Sequence, residues 1–236
     1  DYPQVQVSFA RGYRLKKDVE DEEFTGQALK NAREADSIVY CMGLPDGWES
    51  EGYDRTHLRL PDNQIQLLNR LAKLQKPIIV FLFSGAPVLM DWSSNADGLF
   101  AMYTAGQGVA EAMCRLLFGE ANPCGRLSET WPAALEHTPC SLTYPQKEEA
   151  VYQEGIFVGY RYYEKKGIPV AYPFGYGLSY TTWHYDGLEL DQETMTDQEI
   201  LKVKVDVTNT GSAFGKEIVQ LYVRDPECTV PRPVKE

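Results

Sequence analysis

Short apolar runs alternate with helical periods through the first half of this chain, and that alternation most restricts its fold. Ser37-Ile38-Val39-Tyr40-Cys41-Met42-Gly43 is almost unbroken apolar sequence, the mark of a strand covered on both faces. Before it, residues 22–35 read as an amphipathic helix with Phe24, Ala28, Leu29, Ala32 and Ala35 on one face. After it, residues 62–74 place Ile65, Leu68, Leu71, Ala72 and Leu74 at helical spacing. Pro77 ends that helix, Ile78 to Phe83 is the next strand, and Ser84-Gly85-Ala86-Pro87 is a turn. Residues 88–92 suggest a short helical turn, and residues 98–103 a third buried strand. Gly106-Gln107-Gly108 leads into a helix ending near Gly119, with Val109, Ala112, Met113, Leu116 and Leu117 inward. A further strand is expected over residues 5–9, which alternate in polarity. Strand and helix in turn predict an α/β class: a three-layer α/β/α sandwich with a mostly parallel sheet. Right-handed crossovers then bring the loops at 44–61, 84–87 and 103–107 to one edge.

The pattern changes twice further on. Residues 122–180 are rich in Gly, Pro and Tyr and carry no regular period, as packed wraps and functional loops do. From 201 to 207 the chain alternates strictly, Asn209-Thr210-Gly211 is a turn, and residues 217–223 read as another strand. This is the start of an all-β sandwich, too short for the roughly 100 residues such a fold needs. The expected division is an α/β domain over 1–180 and a truncated β-sandwich over 181–236. The chain begins at Asp1 and stops in mid-pattern, so it reads as a piece of a larger protein.

Composition removes several function classes. A net charge of −11 disfavours nucleic acid, which needs a basic surface, and disfavours an anionic membrane. No apolar run approaches the roughly 20 residues of a membrane span. Hydrophobic residues at 43% allow a full core. The 15 tyrosines suit sugar-binding loops, where an aromatic face packs on C–H groups, and suit ordinary cores equally well. The five cysteines, Cys41, Cys114, Cys124, Cys140 and Cys228, are odd in number and lack CxxC spacing. They argue against a disulfide framework or zinc site and predict buried free thiols in a reducing, cytoplasmic compartment.

The chemistry concentrates in Trp48-Glu49-Ser50-Glu51-Gly52-Tyr53-Asp54-Arg55, in the loop after the first buried strand. Parallel sheets present ligands to such strand-end loops. A carboxylic acid there can donate a proton, and Gly52 lets backbone approach a ligand closely. A solvated surface glutamate is the plain alternative for Glu51. Asp54 and Arg55 are expected to support the loop, Arg55 being a rigid fork suited to paired acceptors. No metal site is expected, because His57, His137 and His184 share no ligand spacing. No cofactor is expected either. Ser84-Gly85-Ala86-Pro87 lacks the nucleophile-elbow frame, and Gly106-Gln107-Gly108 lacks the third glycine of a dinucleotide loop.

These residues also resemble a known family. Glu51-Gly52-Tyr53-Asp54-Arg55, then Leu58-Arg59-Leu60-Pro61 and Gln64, resemble the E-G-x-D-R-x-x-L-x-L-P-x-x-Q motif of glycoside hydrolase family 3. Ser84 to Val88 with Asp91-Trp92 resemble its S-G-x-P-V segment, and Phe118 to Leu127 its F-G-x-x-N-P-x-G-R-L turn. Gly155 to Tyr163 and Pro173 to Tyr180 are the most specific matches. Asn209-Thr210-Gly211 and Gly215-Lys216-Glu217 look like the fibronectin-III-like domain that commonly follows. The resemblance implies part of a retaining β-glycosidase, most often a β-glucosidase, acting on a β-glucoside or oligosaccharide. Glu51 falls on the acid/base position, with Glu49 as the alternative. It implies an Asp nucleophile in a (β/α)8 barrel that this chain does not contain, and so a fragment inactive by itself. A β-xyloside substrate, or a non-catalytic carbohydrate-binding or scaffold module, is the competing reading.

Overall fold

In the computed structural model, residues 2–52, 54–144 and 148–236 are described. The first helix, α1 (Glu22–Glu34), starts where Asp21 caps it: the Asp21 carboxylate accepts the Glu23 and Phe24 N–H groups. Strand β1 (Ile38–Gly43) follows, then α2 (Asp62–Ala72), β2 (Ile78–Phe83) and β3 (Gly98–Ala101). The three strands form one parallel sheet in the order β1-β2-β3, with Tyr40 opposite Val80 and Val80 opposite Leu99. A parallel neighbour requires a crossover, and α2 supplies the one between β1 and β2. The first two N–H groups of α2, on Asp62 and Asn63, are capped from a distance by the Asp18 carboxylate at 3.0 and 2.8 Å.

The core lies on one face of this sheet. Ile38, Tyr40, Met42, Ile78, Val80 and Leu82 meet Leu29 and Ala32 of α1 and Leu67, Leu68 and Leu71 of α2. Burying a side chain of this size stabilises the fold by about 1.5–3 kcal/mol. The opposite face carries the alternate residues. There Phe81 stacks on Phe100 at 4.9 Å, while Val39 is 45% exposed and Cys41 is exposed. Strand β1 is therefore covered on one face only, because it is an edge strand and both α1 and α2 pack on the same side.

Other expectations change for related reasons. Helix α3 (Val109–Leu117) forms with Val109, Met113, Leu116 and Leu117 half-buried and Ala112 exposed, so its stripe faces inward without any residue being fully buried. Cys41, Cys114 and Cys140 are exposed and Cys124 and Cys228 half-buried, so the thiols are free but not buried. Residues 5–9 form no strand, with Val7 and Phe9 each 83% exposed. Residues 88–92 are not helical, and a 3-10 turn lies at Ser93–Asn95 instead. Tyr103, at φ 50°, takes a left-handed backbone just beyond the end of β3.

The 122–180 wrap contains a two-stranded antiparallel sheet of β4 (Trp131–Pro132) and β5 (Val170–Tyr172), with α4 (Tyr160–Lys166) between them in sequence. Trp131 is 2% exposed and joins the main core. Beyond it β6 (Trp183–Leu190) and β7 (Val203–Asn209) pair antiparallel. Residues 217–223 do not form the expected strand; Val223 and Glu236 exchange a pair of backbone bonds at 2.7 and 2.9 Å.

Candidate functional site

Parallel strands end together, so the loops after β1 and β2 meet. The end of β1 is fixed by one side chain. The Gln64 amide accepts the Gly43 N–H and donates to the Gly43 carbonyl, both at 2.8 Å, as a neighbouring strand would. Tyr40 adds a bond from its hydroxyl to the Gln64 carbonyl at 2.8 Å, and the Leu44 N–H reaches the Phe83 carbonyl at 2.9 Å. At the far end of the loop, Leu58 accepts the Leu89 N–H at 2.8 Å and Leu60 is buried.

The middle of the loop is held less uniformly. Trp48 packs edge-on to the His57 ring, with centroids 5.4 Å apart. Glu49 is half-buried, and its Oε1 accepts the Gly85 N–H at 2.7 Å. Glu51 is exposed at the tip, followed by Gly52 at φ 88°, a left-handed conformation that suits glycine. Tyr53 lies outside the described residues. Asp54 is exposed, and its carboxylate accepts the Tyr144 hydroxyl; this bond, with desolvation and the carboxylate's charge, raises the Tyr144 pKa. Arg55 donates from Nη1 to the Pro87 carbonyl at 3.2 Å. Burial holds the Arg55 guanidinium below its ordinary pKa, opposed by the negative charge of Glu49. Among the described residues the buried Arg55 Nη2 and His57 Nδ1 have no hydrogen-bond partner.

Glu51 and Glu49 thus sit two residues apart in different surroundings. Glu49 is committed to a backbone N–H. Glu51 faces solvent, where a carboxyl group can exchange a proton with whatever is presented to it. Asp54 and Arg55 bond outward, to Tyr144 and Pro87. Tyr144 was not singled out by the sequence, since it lies in a stretch without regular period. Gln64 was visible only as a motif letter. Among the described residues no three His, Cys, Asp or Glu side chains gather as metal ligands would. A groove of about 900 Å³ between residues 7–17 and β1 is not lined by the 44–61 loop.

Residues 3–180 match the glycosyl hydrolase family 3 C-terminal domain. Thermostable beta-glucosidase B of Acetivibrio thermocellus is 46% identical over 233 residues, which is 98% of this chain and 31% of that protein. The crystal structure of the Bifidobacterium adolescentis GH3 beta-glucosidase aligns with a TM-score of 0.93 and 37% identity, over 99% of this chain and 35% of that one. Beta-glucosidase 3B of Thermotoga neapolitana, solved in complex with glucose, aligns with a TM-score of 0.82 and 32% identity, over 94% of this chain and 32% of that one. The chain spans about a third of the length of these relatives. With one parallel α/β sheet shared with them and the family pattern running from residue 3 to residue 180, the chain belongs to glycosyl hydrolase family 3, as its C-terminal domain.

Proposed function

We propose that this chain is the acid/base-bearing part of a retaining β-glucosidase, with Glu51 as the general acid/base. The observation that carries the reading is the exposed Glu51 carboxyl at the tip of a loop tied at both ends. The beta-glucosidase names of the relatives support the substrate class. In the first step the Glu51 carboxylic acid gives its proton to the glycosidic oxygen as that bond breaks. A carboxylate nucleophile takes the anomeric carbon at the same time. In the second step the Glu51 carboxylate takes a proton from water as water displaces the nucleophile. The nucleophile is an Asp in a (β/α)8 barrel of the same protein, beyond this chain. Residues 1–180 form the domain that presents Glu51, and residues 181–236 begin a fibronectin-III-like domain. Asp54 and Arg55 support the loop.

The test uses the intact protein carrying Glu51→Ala. Hydrolysis of a plain alkyl β-glucoside should fall by about 10²–10⁴-fold, the usual worth of general acid–base catalysis. A dinitrophenyl β-glucoside needs no leaving-group proton, so it should still form its intermediate, and azide should release glucosyl azide. If both substrates react as in wild type, Glu51 is a bystander. A binding or scaffold module instead predicts sugar binding by residues 1–236 alone at millimolar concentration or better, read by calorimetry.

A further inference from the structure

We infer that Glu49 is a positioning residue, setting the height of Glu51 by clamping the loop to the turn after β2. The inference rests on the acid/base reading of Glu51. Glu49 and Arg55 bracket the loop tip, and both reach that single turn. Glu49 Oε1 accepts the Gly85 N–H at 2.7 Å, and Arg55 Nη1 donates to the Pro87 carbonyl at 3.2 Å. A carboxylate on a backbone N–H is a charge-assisted bond, about twice as strong as a neutral one. Position 85 is shaped for it. A Cβ added to Gly85 would stand only 3.3–3.4 Å from the Glu49 carboxylate atoms, closer than comfortable packing allows. The negative charge of Glu49 also acts on the partly desolvated Arg55 guanidinium. The two feet of the tip are therefore linked electrically as well as through the shared turn. Only one residue separates Glu49 from Glu51, so releasing the first lets the second move.

A misplacement of about 1 Å at a reacting group costs on the order of 10²-fold in rate. In the intact protein, Glu49→Ala should lower kcat for an alkyl β-glucoside by about 10²-fold with KM changed much less. Formation of the intermediate from a dinitrophenyl β-glucoside should fall by less than about threefold, because that step needs no acid. Glu49→Gln keeps an oxygen for the Gly85 N–H, so its loss should stay within about tenfold. Its alkaline limb of kcat/KM should remain, since the titrating acid is still present. Gly85→Ala, which crowds the carboxylate, should shift the alkyl-to-dinitrophenyl ratio in the same direction as Glu49→Ala. Three results would overturn the inference. Glu49→Gln as inactive as Glu49→Ala, with the alkaline limb gone, makes Glu49 itself the proton carrier. Equal losses on both substrates alongside a lowered Tm make it merely structural. Wild-type rates in Glu49→Ala make the contact idle. Glu51→Ala in the same assay separates the two ideas: if it leaves the substrate ratio unchanged, the acid/base reading fails first.

Discussion

The residue that ties sheet to loop is Gln64, a polar side chain only 1% exposed. It stands near the start of α2, and its amide completes the hydrogen bonding of Gly43 at the last position of β1. Gly43 has no room for a side chain, because an added Cβ would collide with the Phe83 carbonyl. The amide is therefore the means by which the strand ends and the loop begins without orphaned backbone groups. Gln64→Leu keeps the bulk and removes both bonds. Leaving a buried donor or acceptor unmet costs about 1–3 kcal/mol each, so a loss of about 2–6 kcal/mol is expected, read from urea midpoints. Gln64→Glu should cost at least as much at neutral pH, because its carboxylate buries a charge and sets an acceptor against the Gly43 carbonyl. The letter Gln64 was legible in the sequence as part of a motif, but its partners were not. An amide's bonds depend on which backbone the fold brings to it, and Gly43 lies 21 positions away.

Elements were legible where one period dominated. The spacing of α1 and α2 and the apolar runs of β1 and β2 gave their positions to within a few residues, because each is fixed by burial against the others. Burial itself was misread where it depended on a neighbour: β1 is apolar throughout, yet Val39 and Cys41 on its second face are exposed. Strand β6 escaped notice since its eight residues, WHYDGLEL, alternate poorly and leave most side chains exposed. Helix α4 was hidden in the aromatic wrap, although it carries a stop signal. Gly167 closes it in the left-handed conformation at φ 64°, and its N–H bonds back to the Glu164 and Tyr163 carbonyls. Nothing lies within 4 Å of a Cβ placed there, so packing does not enter. Gly167→Ala should then cost about 1–2 kcal/mol by backbone strain alone, and Gly167→Asn less, because asparagine visits this region more readily. Chemical denaturation of the two variants checks both the size and the order.

At the scale of the whole molecule, two parts of the chain are joined by a nearly buried ion pair. Arg126 Nη2 reaches both Glu217 carboxylate oxygens at 2.9 and 2.8 Å, with side chains 11% and 10% exposed. Asn122 works beside it, accepting from the Tyr180 N–H at 2.8 Å and donating to the Phe214 carbonyl at 3.0 Å. These contacts hold residues from both sides of position 180 together, and none of them involves a residue of the Glu51 loop. Glu49, the carboxylate nearest to Glu51 in sequence, is spent on Gly85. Retaining hydrolysis needs two carboxyl groups about 5–5.5 Å apart across the sugar, one forming the glycosyl-enzyme and one moving the proton. A proton donor without a nucleophile leaves the anomeric carbon unattacked, and even a dinitrophenyl leaving group then gains little over water. Purified residues 1–236 should therefore release no more dinitrophenol from the β-glucoside than buffer does. The intact protein, assayed alongside, should turn over many times. Steady turnover by the fragment that survives repurification, and that Glu51→Ala abolishes, would mean that this chain carries a nucleophile of its own.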